Sequence, residues 1–268
     1  MTTMVAGLLG VLLYLTGASL QFAGMVRRER PNRTLIRAIA LAAAAAHALL
    51  VWQLMFAGPQ LDLGLFRMGA LVALTMVLII LASGFNRPLD NLYVVLFPVA
   101  ALSLISAMTV DSHYHPPRTG GSGFVLHLIL AVLAYSVLAV AVCQSLVVGW
   151  QEAQLRGRRQ FALLRTLPPL QTMERLLFEL LWIGLILLTL AIGSGFLFLD
   201  DMLGQRVVHH TVLSICSWFV FSVLLWGRWR MGWRGPTAIR WTLAGFALLM
   251  LAYFGSKLMI EFVLIDSH

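Results

Sequence analysis

Eight apolar stretches, at about 3–26, 36–57, 68–85, 91–109, 123–148, 177–199, 207–227 and 241–264, dominate this chain. Each is long enough to cross roughly 30 Å of hydrocarbon at about 1.5 Å per residue. The unit of the fold is therefore the membrane span rather than the water-soluble domain. Composition agrees, with 60% hydrophobic and only 11% charged residues, where soluble domains carry roughly a quarter charged. A soluble globular protein is excluded. Because lipid offers no partner to backbone N–H and C=O groups, the spans must be helices. Residues 1–268 read as one all-α, polytopic transmembrane domain of eight helices.

The third and fourth stretches are the shortest, and Asn86-Arg87-Pro88-Leu89-Asp90 between them predicts a tight turn and an antiparallel hairpin. The net charge of +8 has a topological origin. Fifteen of the nineteen basic residues fall on alternate connections: Arg27 to Arg37, Arg87, Arg156 to Arg175, and Arg228 to Arg240. The other side keeps Arg67, Arg118, Arg206 and Lys257. By the positive-inside tendency the rich side is cytoplasmic, which places both termini on the outer (periplasmic) side. Topology accounts for the charge, so no nucleic-acid partner is expected. The first stretch has no basic residue ahead of it and is followed by Arg27 and Arg28, the reverse of a cleavable signal, and is expected to remain as a span. The longest connection, a basic loop at 150–176 inserted between the fifth and sixth helices, mixes Leu, Phe and Arg from Gln151 to Leu164 in a pattern suited to the inner membrane surface.

Polar groups inside the apolar stretches are the places to look for chemistry, since each is costly in lipid unless partnered or useful. His47 falls near the middle of the second stretch and His127 near the outer end of the fifth. A neutral imidazole in an apolar setting suits an axial ligand of haem iron, provided something orients its other ring nitrogen. The alternative is a histidine bonded to a hydroxyl or carbonyl of a neighbouring helix. Their depths differ by roughly 13 Å if both spans are centred, so one shared haem, two sites, or one ligand and one structural histidine all remain open. At the outer face, Asp111-Ser112-His113-Tyr114-His115-Pro116-Pro117 and Val208-His209-His210-Thr211 supply further imidazoles. With Arg118 and Arg206 these are weaker candidates for a metal or for haem propionates, against the reading of solvated loop histidines.

The remaining polar residues read as structural. Asp200 and Asp201 end the sixth span. Lys257 and Glu261, four apart, are placed to pair on the last helix, with a proton path as the alternative. Glu179 is a capping acid or a partner of Arg175, and Trp150, Trp226, Trp229, Trp233 and Trp241 sit where amphipathic indoles gather at the membrane interface. Cys143 and Cys216 indicate neither a disulfide framework nor a zinc site. No nucleophile with a matched base, phosphate loop or His-Glu-x-x-His run occurs, so an enzyme is not expected.

The segments Ser217-Trp218-Phe219-Val220-Phe221, Gly227-Arg228-Trp229-Arg230-Met231-Gly232-Trp233-Arg234-Gly235 and Leu251-Ala252-Tyr253-Phe254-Gly255 resemble the cytochrome c assembly family of haem-handling membrane proteins. His127-Leu128 followed by Ala134-Tyr135-Ser136, and the eight-helix layout, resemble it too. The family includes CcsA, CcmC and HemX-like proteins, and the layout is nearest its YpjD inner-membrane branch. The resemblance implies haem b binding or haem movement to the outer face, cytochrome c maturation or haem-biosynthesis proteins as partners, and His127 in the position of the first external haem-ligating histidine. Three positions depart from the pattern. The tryptophan-rich Trp-Asp segment is replaced by Asp200-Asp201-Met202-Leu203-Gly204-Gln205-Arg206. Trp226 stands where CcsA has a membrane histidine. Leu264 stands at its second external histidine, with His268 four residues on.

Two functions follow from different classes. One is a haem-binding membrane protein associated with cytochrome c biogenesis, its iron held by His47 and His127. The other is a cofactor-free regulatory or scaffold protein of HemX-like influence on tetrapyrrole synthesis, acting through its cytoplasmic loops. A solute transporter is disfavoured, because midplane acids are absent and Pro98 is the only interior proline of the spans.

Overall fold

The computed structural model describes residues 2–27, 32–56, 58, 61–84, 89–114, 121–157, 167–198 and 208–255. These form eight helices in chain order: α1 (Thr2–Arg27), α2 (Arg33–Met55), α3 (Leu65–Ser83), α4 (Tyr93–Thr109), α5 (Ser122–Arg156), α6 (Leu170–Phe198), α7 (Val208–Met231) and α8 (Gly235–Met250). A 3₁₀ turn, Asp90–Leu92, leads into α4, and a π turn, Leu251–Gly255, extends α8. No strand occurs among the described residues. The all-α polytopic reading holds, and all eight helices are long and apolar enough to span a membrane. Leu12, Leu41, Trp52, Ile186 and Leu197 are among the large apolar side chains left on the surface, an arrangement suited to hydrocarbon and not to water.

Three helices extend past one end of their apolar windows by six residues or more. α5 continues to Arg156, α6 begins at Leu170 and α8 at Gly235, each six to eight residues beyond the expected stretch. The apolar window measures the hydrocarbon thickness, whereas a helix continues into the interface while its residues favour it. Glu152 and Arg156, paired at 2.6 Å across one turn, stabilise that continuation of α5. The part of the 150–176 loop expected along the membrane surface is thus helical up to Arg156, and its residues 158–166 lie outside the described ones.

The chain divides into two compact units. The first holds α1 to α4 and the segment Trp150–Thr172, and in it α1 packs on α2 and α4 while α3 packs on the same two helices. Asn86, Arg87 and Pro88 of the expected turn lie outside the described residues, but α3 and α4 pack together in this unit as a hairpin requires. Tyr14, Tyr93 and Phe97 fill its core, Tyr14 and Phe97 with centroids 5.5 Å apart and Tyr93 stacked on Phe97 at 4.8 Å. At one end Arg37 donates to the Gly84 carbonyl at 2.6 Å and to both Asp90 oxygens at 3.1 Å, tying α2 to the hairpin turn.

The second unit holds α5 up to Gly149, α6 from Met173, α7 and α8. Here the Gln144 amide donates to the Met173 carbonyl at 2.9 Å, joining α5 to α6. Ser217 donates to the Gly245 carbonyl at 2.7 Å, joining α7 to α8. Leu138 packs against Gly184 so closely that a Cβ there would collide with it, which lets α5 and α6 approach.

Candidate functional site

In the first unit, His47 is fully buried. Its Nδ1 lies 3.2 Å from the Tyr14 hydroxyl on α1, with the rings edge to face at 5.8 Å. The Ala70 backbone on α3 is close enough to interact with the ring, yet Nε2 is sealed from the surface and makes no hydrogen bond of ordinary geometry. Three helices therefore meet at this imidazole. A porphyrin plane has no approach to Nε2 unless those helices part.

At another end of the same unit lies a polar cluster that sequence reasoning missed. Asp62, buried between α2 and α3, accepts from the Gly64 and Tyr114 backbone N–H groups at 3.0 Å each, from His113 Nδ1 at 2.7 Å and from the Arg67 guanidinium. Leu63 N–H donates to the Tyr114 carbonyl at 2.8 Å, and Gly64 lies so close to the Ser112 carbonyl that no Cβ would fit. Burial alone would raise the Asp62 pKa; the two backbone donors, His113 and Arg67 outweigh it and hold the carboxyl below its usual range. The legible signal was the pairing of a loop acid with one of the few basic residues on the sparse side, since Arg67 follows Asp62 by five positions.

In the second unit, His127 on α5 is part-buried against α6. Its Nδ1 is 2.9 Å from the Ala191 carbonyl and 3.2 Å from Ser194 Oγ. A carbonyl can only accept, so Nδ1 carries the proton. Ser194 spends its own hydrogen on the same carbonyl at 2.9 Å and can then accept from Nδ1–H as well. This fixes the neutral tautomer with a lone pair on Nε2, which makes no hydrogen bond among the described residues. A ring anchored through one nitrogen and open at the other is the arrangement an iron or other metal ligand requires.

Of the two histidines opening α7, His209 is exposed, and the His210 ring lies 6.2 Å from Tyr253 in the π turn. Tyr253 also meets Tyr135 at 6.0 Å, and the Tyr135 hydroxyl donates to the Leu249 carbonyl at 2.7 Å. Tyr135 and the Leu251–Gly255 segment, noted separately in the sequence, thus belong to one contact between α5 and the end of α8. Glu179 does meet Arg175, at 3.7 Å. Arg118, Arg206, His115, Asp200, Asp201, Lys257, Glu261, Leu264 and His268 lie outside the described residues.

An apolar groove of about 330 Å³ opens between α6 and α7, lined by Thr189, Ile192, Gly193, Ile215, Trp218 and Phe219. At about 100° per residue, Thr189, Ile192 and Gly193 point away from the side of α6 that holds Ala191 and Ser194. The groove and His127 therefore lie on opposite sides of that helix.

An integral membrane protein of eight helices, with an oriented imidazole near the end of one span, is the class this architecture defines. The chain belongs to the cytochrome c assembly protein family, whose model matches residues 35–264. It is 30% identical over 263 residues to the inner membrane protein YpjD of Escherichia coli K12, covering 97% of this chain and 99% of that protein. An uncharacterized 28.8 kDa protein of Azospirillum brasilense is 31% identical over 198 residues, 72% of this chain and 73% of that one. Protein HemX of Brevibacillus brevis is 28% identical over 131 residues, 48% of each. No solved structure matches. The helices and this kinship make the chain a multi-pass inner-membrane protein.

Proposed function

We propose that this protein binds haem b within the membrane and handles it in connection with cytochrome c biogenesis, with His127 as an axial ligand. The observation that carries the reading is the Nδ1–H···O=C bond to Ala191, which presents a basic Nε2 to an incoming iron. The donor chemistry fits the group: iron in haem needs one or two axial ligands, and a carbonyl-anchored neutral imidazole supplies one. Bound haem would supply iron-centred redox and ligand chemistry. The chain's own part is to hold the ring's tautomer through Ala191 and Ser194, with Arg118, Arg206, His209 and His210 as outer-face candidates for the propionates or a second ligand. The charge asymmetry supports both termini outside, which puts His127 near the outer face.

His47 has the donor type but not the access. Its contacts with Tyr14 and the Ala70 backbone support the role of a clamp joining α1, α2 and α3, and a haem-ligating role there needs the unit to open.

The test is the optical spectrum of the protein purified in mild detergent from haem-replete cells. A Soret band is expected in the wild type and in His47→Ala, and its loss in His127→Ala. No band in the wild type, or an unchanged band in His127→Ala, defeats the reading.

A further inference from the structure

The α7–α8 connection is rigid and basic. Trp233 N–H donates to the Gly227 carbonyl at 3.3 Å, and Arg228 donates to the Trp233 carbonyl at 3.2 Å while its guanidinium lies 4.5 Å over the Phe178 ring. Gly235 N–H donates to Glu174 Oε1 on α6 at 3.0 Å. The turn needs glycine at Gly232 and Gly235, whose φ angles are +67° and +50°. Trp233 packs so tightly on Gly227 that a Cβ there would collide with its ring, and its own indole lies 5.3 Å from Trp241.

This frame uses Arg228 and leaves three other arginines outward. Arg230, Arg234 and Arg240 are exposed, and none has a carboxylate partner among the described residues, unlike Arg156 on Glu152 and Arg175 on Glu179. Beside them Trp229 is 77% exposed and Trp226 54%. On a helix, Trp226, Trp229 and Arg230 fall at i, i+3 and i+4 and share one face. Exposed indoles at the end of an apolar span mark the headgroup level of the bilayer, and guanidinium groups match phosphate oxygens two at a time. We propose that the α7–α8 turn is a binding site for an anionic phospholipid headgroup, with Arg230, Arg234 and Arg240 facing the phosphate and Trp226 and Trp229 against the glycerol and upper acyl region. Topology alone requires positive charge on this side; it does not require the charge to be mounted on a braced turn with its carboxylate partners missing. The site is independent of haem.

Native mass spectrometry of the detergent-purified full chain, titrated with phosphatidylglycerol or with phosphatidylcholine of the same acyl chains, tests it. Phosphatidylglycerol is expected to bind roughly ten-fold more tightly. Arg234→Gln/Arg240→Gln should reduce that preference to about two-fold and leave phosphatidylcholine binding unchanged. The double variant Arg156→Gln/Arg175→Gln removes equal charge from arginines that already hold acids, and should keep the preference. Equal binding of the two lipids in the wild type, an equal loss in both double variants, or competition by millimolar inorganic phosphate that abolishes the preference, would overturn the proposal. A variant that misfolds would lose phosphatidylcholine binding too, and Trp229→Ala, expected to weaken both lipids without changing their ratio, then carries the test; a changed ratio in that variant counts against it.

Discussion

His47 and His127 are the two membrane-embedded imidazoles that the sequence singled out, and the structure surrounds them differently. His47 sits at the centre of the first unit, in contact with a tyrosine hydroxyl and with Nε2 sealed. His127 sits toward the start of α5, fixed through Nδ1 to a carbonyl, with no hydrogen bond at Nε2 among the described residues. The same side chain in the same kind of sequence context is fully enclosed in one place and part-buried in the other, which supports the proposed division into helix clamp and ligand. In both rings the neighbours take Nδ1; what separates them is burial, complete at His47 and partial at His127.

The largest effect that would break this contrast is on occupancy. His127→Ala should remove essentially all bound haem, read as the Soret absorbance per protein, while His47→Ala should leave that ratio close to wild type. In stability the order reverses. His47→Ala deletes a fully buried ring and strands the Tyr14 hydroxyl, and should cost about 3 kcal/mol; His127→Ala, part-buried, should cost about 1 kcal/mol. Thermal unfolding in detergent compares the two, and an equal loss would erase the distinction.

Asp62→Asn sharpens the picture of the first unit, because it removes the charge that Arg67 and His113 face. It should destabilise by about 2–3 kcal/mol. The pH dependence follows from the same network. Since the folded-state pKa of Asp62 is lowered, its contribution is complete above the ordinary carboxylate range and is lost as pH falls through the lowered value. Wild-type stability should therefore fall more steeply than that of Asp62→Asn on acidification below pH of about 4, measured by unfolding midpoints across the range. Parallel curves would mean that the network is not holding the loop.

Smaller changes probe the supports. Tyr14→Phe should cost about 1–2 kcal/mol by depriving His47 Nδ1 of its partner, and leave the spectrum unchanged. Ser194→Ala should reduce haem affinity only a few-fold, about 1 kcal/mol, because the Ala191 carbonyl still orients His127. A complete loss of haem in Ser194→Ala would shift the anchoring role from the carbonyl to the hydroxyl.

The legible part of the fold was the part governed by solvent. Apolar runs of membrane length had to become spanning helices, and a short connection after the third had to bring the fourth back against it. Helix ends were less legible, as at Leu170 and Gly235, because beyond the hydrocarbon boundary hydropathy no longer distinguishes a helix from a loop. Of the site, His127 and Tyr135 were visible as residues but not as partners of Ala191 and Leu249, since a backbone carbonyl leaves no trace in residue identity. Asp62 was hidden for a related reason: two of its four partners are backbone N–H groups, and His113 lies 51 residues away.

By itself the sequence determined that the chain lives in a membrane, crosses it in eight helices and carries its positive charge on alternate connections, because the transfer of each side chain between water and lipid is a local property that adds along the chain. Only the tertiary structure decided that Nδ1 of His127 is tied down while its Nε2 takes no hydrogen bond among the described residues, that His47 is closed in, and that Arg230, Arg234 and Arg240 face outward from a braced turn. Those outcomes depend on which helix faces which, and hydrogen-bond partners separated by dozens of residues are chosen by packing.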